Sequence, residues 1–431
     1  MAEKNAGKRK KQLQLLRCSV QNYDWGRIGE ESKVAELFLL NSGMEIQNDK
    51  PYAELWMGTH NSGPSFLILG NRDGGSGLEP LSLKSWISEN PHVLGEKVVE
   101  KWGADLPFLF KVLSIAKALS IQAHPDKALA ETLHATQPTV YKDDNHKPEM
   151  ALALTEFEAL CGFVSLEELK NVLLSVPEII ELVGSKSAGE ILHANKQDGE
   201  EKIKAMLQSI FTQLMSTSED EISGAVSKLK TRLNMENKMR QLTEKEQLIL
   251  RLEKQYPGDI GVISAFFLNY VKLNPGEALY LGANEPHAYI FGECIECMAT
   301  SDNVVRAGLT PKYRDVHTLC SMLTYRQGFP EILQGVPLNP YTTRYLPPFE
   351  EFEVDRCVLP KGASVKFPAV PGPSLFVVTT GRGTIQTESS SADAIVEGCV
   401  LFVPADTELG VTAMDGLQLY RAGVNSKFFE H

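Results

Sequence analysis

Apolar residues in the first third of the chain occur in short runs separated by glycine, proline and polar residues. Runs of about four to eight residues bounded by turn residues are typical of β-strands. Residues 108–113 and 118–123 are two such runs, and residues 114–117 form the predicted connection of a hairpin between them. The pattern therefore predicts that residues 13–165 consist mostly of short strands and turns.

The spacing of the apolar residues changes at about residue 165. Ser165 precedes Leu-Glu-Glu-Leu, which is the pattern of an N-cap followed by the first turn of a helix. Further on, Leu207, Ile210 and Leu214 follow one another at intervals of three and four residues, which is the spacing of one face of an α-helix. We therefore expect a helical domain over residues 165–267.

Strand character returns after the helical segment and continues nearly to the C-terminus. Residues 275–284 align with residues 397–406, and both segments read as a turn, a buried strand and another turn. This weak internal repeat predicts two β-barrels of one kind, with the helices inserted into the first. The expected fold class is therefore mainly β with an inserted α domain. In the same alignment His287 lies opposite Leu409, so only the first barrel would have a histidine there.

The composition is that of a soluble globular protein, with 43% apolar and 23% charged residues among 431. A formal net charge of −12 argues against a nucleic-acid-binding surface over the whole protein. No segment is apolar over the length that a transmembrane helix needs, so no membrane insertion is expected. The seven cysteines are scattered and odd in number, which favours a reducing compartment. We therefore expect a cytoplasmic protein.

A cluster of basic residues precedes the first apolar run. Its members are Lys4, Lys8, Arg9, Lys10 and Lys11. We interpret residues 1–16 as a basic flexible tail, although a nuclear address or a membrane-surface patch would have a similar composition. The cluster lacks an apolar segment of its own, so it does not resemble a secretory signal.

Two polar residues at the end of a predicted strand are candidate metal ligands. Gln122 and His124 are two positions apart, which places both side chains on the same face of a strand. Pro125 removes a backbone donor directly afterwards, so the strand is predicted to end there. A histidine at the end of a barrel strand can reach the mouth of the barrel.

Two further candidates lie at the start of other predicted strands. Glu149 precedes a run of apolar residues, and so does His287. Two imidazoles, a carboxylate and an amide suit a borderline divalent ion such as zinc, and two histidines with one carboxylate suit non-haem iron as well. The alternative is that each residue is an isolated polar group at a strand end, because spacing alone does not bring these segments together.

The segment after residue 301 contains candidates for anion binding. Arg306 and Lys312 are six residues apart, and the loop between them contains Gly308 and Pro311. Such a loop can direct a guanidinium and an ammonium toward one anion, although solvated loop charges are the alternative. Glu296 lies in an apolar run, where a buried carboxylate needs a partner or a function. An outward-facing strand position is the alternative for Glu296.

Several of these candidates lie within longer motifs. The motifs are Gln-Asn-Tyr-Asp-Trp-Gly at 21–26, Lys-Val-Leu-Ser at 111–114, Leu-Ser-Ile-Gln-Ala-His-Pro-Asp-Lys at 119–127, Asp-Asn-His-Lys-Pro-Glu-Met at 144–150, Glu-Cys-Ile-Glu-Cys-Met-Ala at 293–299 and Val-Arg-Ala-Gly-Leu-Thr-Pro-Lys at 305–312. Together they resemble the type I mannose-6-phosphate isomerase family. The resemblance extends from about residue 17 to the end and is strongest over residues 107–163 and 274–316. The basic cluster lies outside it.

The resemblance implies a particular domain organisation, namely two cupin-like (jelly-roll) β-barrels plus a helical domain. A catalytic cupin barrel would consist of residues 17–164 and 268–335, which are discontinuous in the chain. Residues 165–267 would form the helical insertion domain. Residues 336–431 would form a C-terminal cupin-like barrel without a metal site.

The resemblance also implies roles for individual residues. One zinc ion per chain would be held by Gln122, His124, Glu149 and His287. Arg306 would be the essential arginine, and Glu296 and Lys147 would be further catalytic residues. Substrate contacts are implied for Trp25, Lys111, Ser120 and Lys312.

The activity implied by the resemblance is zinc-dependent aldose–ketose isomerisation. D-mannose 6-phosphate and D-fructose 6-phosphate would interconvert through an enediol(ate) intermediate, and the enzyme would feed mannose into GDP-mannose synthesis. The expected partner is a small-molecule sugar phosphate, and the chain is expected to act as a monomer. The alternatives are an iron-dependent cupin oxygenase and a non-catalytic sugar-phosphate-binding cupin.

Overall fold

A computed structural model describes residues 13–68, 80–388 and 392–430 of the chain. The basic cluster of the predicted tail lies outside these ranges. Within them the structure is mainly β, and most of the helices lie between residues 166 and 264. The predicted fold class, mainly β with an inserted α domain, is confirmed.

The strands of the described residues are numbered in chain order. They are β1 Gln14–Arg17, β2 Ser19–Gln21, β3 Arg27–Ile28, β4 Pro51–Tyr52, β5 Glu54–Met57, β6 Phe66–Leu67, β7 Phe108–Ile115, β8 Ile121–Ala123, β9 Glu149–Ala153, β10 Phe157–Phe163, β11 Leu268–Leu273, β12 Ala278–Leu281, β13 His287–Ala299, β14 Val305–Gly308, β15 Ile332–Leu333, β16 Val336–Asn339, β17 Thr342–Tyr345, β18 Glu353–Leu359, β19 Ser364–Phe367, β20 Ser374–Thr380, β21 Arg382–Thr387, β22 Asp393–Val396, β23 Val400–Val403, β24 Leu409–Ala413 and β25 Leu417–Gly423.

The α-helices are numbered in the same way. They are α1 Lys33–Ser42, α2 Leu83–Glu89, α3 Glu96–Trp102, α4 Lys127–Thr136, α5 Leu166–Ser175, α6 Pro177–Val183, α7 Ser185–His193, α8 Glu200–Met215, α9 Glu219–Glu236, α10 Glu244–Gln255, α11 Ile260–Ser264 and α12 Val316–Met322. The N-cap predicted at Ser165 is observed, because its Oγ accepts a hydrogen bond from the backbone N–H of Glu168 at 3.2 Å. Among the described residues, no helix combines the length and the apolar character that a membrane span would need.

The described residues form two compact units, and the first contains those up to 114, those from 295 to 300 and those from 333 onward. One of its sheets has the strand order β16-β17-β18-β25-β20-β23-β1-β6, and another has the order β19-β24-β21-β22. The two sheets share an apolar core to which Phe376, Leu401 and Leu419 contribute from the larger sheet, and Val411 from the smaller. Antiparallel strands that enclose one core in this way are typical of jelly rolls.

The N-terminal strand β1 is part of the larger sheet. Leu15 pairs with Leu401 of β23, and Leu16 pairs with Leu67 of β6. Leu16 is completely buried. Burying one leucine side chain contributes about 1.5–3 kcal/mol, which opposes detachment of this segment. The flexible tail predicted for residues 1–16 therefore extends too far, since residues 14–16 are strand residues.

The second unit contains residues 115–294 and 301–332. Its strands include the order β15-β12-β9-β13, and β13 also pairs with β10 and β8. Helices and strands share one core here. Phe163 of β10 packs edge-on against Phe211 of α8 with 5.2 Å between ring centroids, and Phe211 packs against Phe267 at 5.7 Å. The inserted helices are therefore continuous with the strand core of this unit.

The predicted internal repeat is visible in the backbone conformation. Gly276 and Gly398, which are aligned in the repeat, have φ of 92° and 82°. Asn284 and Asp406, also aligned, have φ of 62° and 54° in the left-handed region, where asparagine and aspartate are better tolerated than most residues. The next strands, β13 and β24, begin at aligned positions. The second barrel has the buried Leu409 where the first has a histidine.

Candidate metal centre

The short strand β8 lies at the centre of the candidate site. Gln122 lies opposite His287 of β13 and also opposite Arg306 of β14. Side chains of directly opposed residues in an antiparallel sheet lie on the same face. The sheet therefore places these three side chains on one face.

The predicted hairpin between residues 108–113 and 118–123 was wrong, because β8 pairs with β13 and β14 instead. The apolar pattern identified both strands, but pairing depends on partners that lie more than 160 residues further along the chain. The local sequence carries little information about such partners. The error matters, because β13 and β14 bring a histidine and an arginine to β8.

His124, Glu149 and His287 are buried and converge on one point. Nε2 of His124 lies 3.4 Å from Oε1 of Glu149, and Nε2 of His287 lies 3.4 Å from Oε2 of the same carboxylate. Ligands bound at about 2.1 Å to a tetrahedral ion lie about 3.4 Å from one another. The spacing therefore fits a single divalent metal ion held between the three side chains.

Hydrogen bonds of the two imidazoles leave one nitrogen of each ring for a ligand. Nδ1 of His124 donates to the carbonyl of Asn303 at 2.7 Å, and Nδ1 of His287 donates to the carbonyl of Glu285 at 3.0 Å. A neutral ring that donates from Nδ1 has a lone pair at Nε2. Both Nε2 atoms are buried and lack a hydrogen-bond partner within the described ranges. A metal ion would satisfy both atoms.

The protonation states of the cluster also suit a metal ion. Burial lowers the pKa of His124 to about 4, so its ring is neutral near pH 7. Burial disfavours the charged form of Glu149, but the positive charge of Lys147 favours it, and the pKa of this carboxyl is held well below the usual value. Nζ of Lys147 lies 3.3 Å from Oε1 of Glu149. Glu149 as a carboxylate and His124 as a neutral imidazole can therefore bind a metal ion near pH 7 without first losing a proton.

The loop between β13 and β14 fixes the orientation of His124. Asn303, whose carbonyl accepts from His124, donates from Nδ2 to the carbonyls of Asp143 at 2.7 Å and Asn145 at 3.0 Å. Oγ of Ser301 donates to the Asp143 carboxylate at 2.8 Å. The loop is therefore hydrogen-bonded to residues 143–145, which precede Glu149 of β9.

Replacing Asn303 by alanine should weaken the binding of a divalent metal ion at this cluster by roughly 10–100-fold, which is the usual effect of losing a residue that orients a ligand. The alanine variant keeps the carbonyl but loses the side-chain bonds that hold it. Competition with a chromophoric chelator measures the affinity. Asn171→Ala, exposed on α5 of the same unit, is the matched control. Parental metal affinity in Asn303→Ala would show that this loop does not orient His124.

The remaining candidates of the second unit lie around β8 and β14. Arg306 is half-buried, and no carboxylate of residues 13–68, 80–388 or 392–430 pairs with its guanidinium. Oγ of Ser120 donates to Oε1 of Gln122 at 3.3 Å. Lys312 is exposed in the segment after β14. The structure therefore places Gln122 and Arg306 on the paired strands β8 and β14 and Ser120 directly before β8, while Lys312 lies in the segment after β14.

The other candidates belong to the first unit. Nζ of Lys111 lies 2.8 Å from Oε2 of Glu296 and 3.2 Å from Oε2 of Glu54, and all three residues are buried. Lys111 also lies over the Trp56 ring, 5.1 Å from its centroid. Trp25 is half-buried and stacks on a neighbouring tyrosine at 5.7 Å. The outward-facing alternative for Glu296 is wrong, because the residue is buried and ion-paired.

Sequence reasoning missed several residues that support these candidates. Asn303 and Glu285 accept from histidines through their backbone carbonyls, which no side-chain motif reveals. Glu54 lies in the apolar segment Tyr-Ala-Glu-Leu-Trp-Met, where it is buried. The signal that singled out Glu296, a carboxylate within an apolar run, could also have found Glu54.

Two family models match the chain. Residues 13–166 match the phosphomannose isomerase type I catalytic domain, and residues 182–268 match the phosphomannose isomerase type I helical insertion domain. Among curated proteins, the chain is 63% identical over 420 residues to mannose-6-phosphate isomerase 2 of Arabidopsis thaliana, covering 97% of this chain and 95% of that protein. It is 42% identical over 423 residues to mannose-6-phosphate isomerase of Bos taurus, covering 94% and 97%.

Solved structures are similar over nearly the whole chain. A crystal structure of mannose 6-phosphate isomerase bound with zinc and yttrium superposes with a TM-score of 0.79 at 30% identity, covering 96% of this chain and 99% of that one. A mutant of phosphomannose isomerase from Salmonella typhimurium superposes with the same TM-score, identity and coverage. The agreement extends across both compact units of the fold.

Proposed function

We infer the function of this chain from the premise that it belongs to the type I phosphomannose isomerase family. We propose that it catalyses the reversible interconversion of D-mannose 6-phosphate and D-fructose 6-phosphate. The observation that carries the proposal is the convergence of His124, Glu149 and His287 next to the strand that bears Arg306. This arrangement occurs in a chain 63% identical to a mannose-6-phosphate isomerase.

We propose that one zinc ion per chain binds at this cluster. His124, Glu149 and His287 support it by their spacing, and Gln122 is the proposed fourth ligand because it lies opposite His287 on the same face. A similar solved structure is described as bound with zinc, which favours zinc over iron. When bound, zinc would polarise the sugar oxygens on C1 and C2 as a Lewis acid.

The proposed chemistry requires that a proton move between two adjacent carbons. The enediol(ate) formed in between carries negative charge, which Arg306 would stabilise. Its guanidinium suits this role, because it is half-buried and no carboxylate among the described residues neutralises it. Glu296 is the proposed base that takes the proton from one carbon and returns it to the other. Lys147, in contact with Glu149, would move hydroxyl protons during ring opening.

The phosphate of the substrate would supply binding energy away from the reacting carbons. Ser120 and Lys312 are the proposed phosphate contacts, and Trp25 and Lys111 are proposed to line the substrate pocket. Binding energy from a remote group can position the reacting carbons against the base. Lys111 would act there together with the carboxylates that it already contacts.

Two other functions explain the structure less well. An iron-dependent cupin oxygenase of an apolar substrate would not require a half-buried guanidinium that no carboxylate of the described residues pairs with. A sugar-phosphate-binding cupin without activity would not need three buried side chains whose metal-ligating atoms lie this close together. Metal analysis of the purified protein separates the first alternative from the proposal, and turnover separates the second.

We further propose a monomer that acts in the cytoplasm and feeds mannose into GDP-mannose synthesis, without a nucleic-acid or membrane partner. None of the seven cysteines, all within the described ranges, forms a disulfide, which supports a reducing compartment. Sedimentation of the purified protein and imaging of a tagged chain would test the oligomeric state and the compartment.

A coupled assay tests the proposed activity directly. We expect the purified chain to produce glucose 6-phosphate from mannose 6-phosphate in the presence of phosphoglucose isomerase, which converts the fructose 6-phosphate formed. NADPH formation by glucose-6-phosphate dehydrogenase then reports the rate. Binding of mannose 6-phosphate without turnover, at full zinc occupancy, would contradict the proposal.

A further inference from the structure

The turn that follows β14 contains a leucine in an unfavourable conformation. Leu309 has φ of 54°, in the left-handed region, where its Cβ approaches a carbonyl oxygen. Its side chain is 1% exposed and belongs to the apolar core of the second unit. A backbone of this kind persists only when its surroundings hold it, and it is often associated with function.

One carboxylate of the helical segment holds this turn. Oδ1 of Asp259 accepts from the backbone N–H of Leu309 at 2.6 Å, and Oδ2 accepts from the N–H of Thr310 at 3.1 Å. Oδ1 also accepts from the N–H of Gly261 at 2.6 Å, which caps α11. Hydrogen bonds to an ionised acceptor are stronger than neutral ones. Asp259 therefore links the start of α11 to the turn after β14, fifty residues away in sequence.

The two backbones also touch directly. A Cβ on Gly261 would lie 2.4 Å from the backbone nitrogen of Leu309, and a Cβ on Gly308 would lie 2.6 Å from Cα of Gly261. No side chain fits between α11 and the turn, so the glycines allow the close approach that the Asp259 bonds require. Hydrogen bonding and packing thus restrain the turn together.

We propose that Asp259 is a positioning residue for Lys312, through which the helical segment sets the affinity for the sugar phosphate. This inference rests on the proposed function. Lys312 lies directly beyond the restrained turn, and its N–H bonds to Oγ1 of Thr310 at 3.1 Å. Arg306 is held separately, by the pairing of β14 with β8. Loss of the Asp259 bonds should therefore displace Lys312 and leave Arg306 in place.

Asp259→Ser tests this inference. Serine is as good an N-cap as aspartate, so α11 keeps its cap, but the shorter side chain cannot hold the turn as well. The KM for mannose 6-phosphate should rise about 10- to 100-fold. The kcat should stay within about twofold of the parental value, because the weakened phosphate contact binds the substrate and the transition state equally. Zinc content should match that of the parent enzyme.

Two further variants separate positioning from folding. Asp259→Asn has a side chain of the same size and keeps one acceptor oxygen, so its KM should lie between those of the parent and Asp259→Ser. This variant also tests the inference if the serine variant does not fold. Thr243→Ala removes only the N-cap of α10, where Oγ1 of Thr243 accepts from the N–H of Glu246 at 3.2 Å. Its KM should equal the parental value even if its Tm falls.

The outcomes distinguish this inference from the proposed function. An active parent with parental KM in both Asp259 variants would overturn the positioning role and leave the isomerase assignment intact. A fall in zinc content or kcat at unchanged KM would also overturn it. An inactive, zinc-loaded parent would refute the proposed function itself.

Discussion

Removing zinc should lower the isomerase rate by at least about 1000-fold, and adding one equivalent per chain should restore it. The physical reason lies in the cluster of His124, Glu149 and His287. The buried Nε2 atoms of its two histidines have no hydrogen-bond partner among the described residues, and a metal ion would bind both. The experiment is dialysis against a chelator, followed by the coupled assay and elemental analysis of the same samples. The rate should follow the zinc content through both removal and return.

A point variant tests the same site without a chelator. His287→Ala should lose zinc and activity together, because it removes one of two imidazoles from the cluster. His134→Ala is the matched control, since this histidine lies on α4 outside the cluster and donates from Nδ1 to the carbonyl of Tyr141 at 2.8 Å. Full activity in zinc-free protein, or zinc-loaded and active His287→Ala, would refute the metal site.

Features set by neighbouring residues could be predicted from the sequence. The cap at Ser165 depends on residues only three positions apart, and the predicted apolar spacing of Leu207, Ile210 and Leu214 is that of the buried face of α8. The aligned glycines Gly276 and Gly398 mark matching turns, because glycine adopts positive φ without steric cost. Neighbouring residues are therefore sufficient to predict whether a segment is a helix or a strand and where the chain turns.

Strand partners could not be predicted in the same way. The sequence pattern predicts that β8 pairs with β7, its neighbour in sequence, but the partners of β8 are β13 and β14. The sequence pattern places part of β1 in a flexible tail, but β1 pairs with β23, which lies near the other end of the chain. Backbone hydrogen bonds are alike for every sequence, so an apolar pattern does not specify which distant strand completes them.

The candidate site combines one feature that the local sequence predicts with one that depends on distant strands. The same-face relation of Gln122 and His124 follows from strand periodicity, whereas their convergence with Glu149 and His287 depends on β13, which pairs with both β8 and β9. Only the family resemblance suggested that convergence from the sequence. The sequence leaves both a buried and an outward-facing Glu296 open, because an apolar run does not show which side of a strand faces the core, and the structure buries the residue beside Lys111.

Replacing Arg306 by alanine should lower kcat by about 100- to 1000-fold, or roughly 3–4 kcal/mol of transition-state stabilisation. The guanidinium is half-buried on the metal-facing strands, and no carboxylate in the described part of the chain neutralises it. β14 pairs with β8 through its backbone, so the variant should keep its fold and its zinc. Steady-state kinetics, elemental analysis and thermal unfolding of one preparation measure the three quantities.

Two comparisons make this prediction specific to the arginine. Lys312→Ala should mainly raise the KM, because the proposed phosphate contact is remote from the reacting carbons and acts in ground and transition states alike. Arg240→Ala removes an exposed arginine that pairs with Glu236 and Glu246 in the helical segment, so it should leave kcat and KM unchanged. If Arg306→Ala retains the parental kcat, negative charge in the transition state must be stabilised elsewhere, and the role assigned to Arg306 is wrong. If its kcat falls only because zinc is lost, the residue supports the metal site instead.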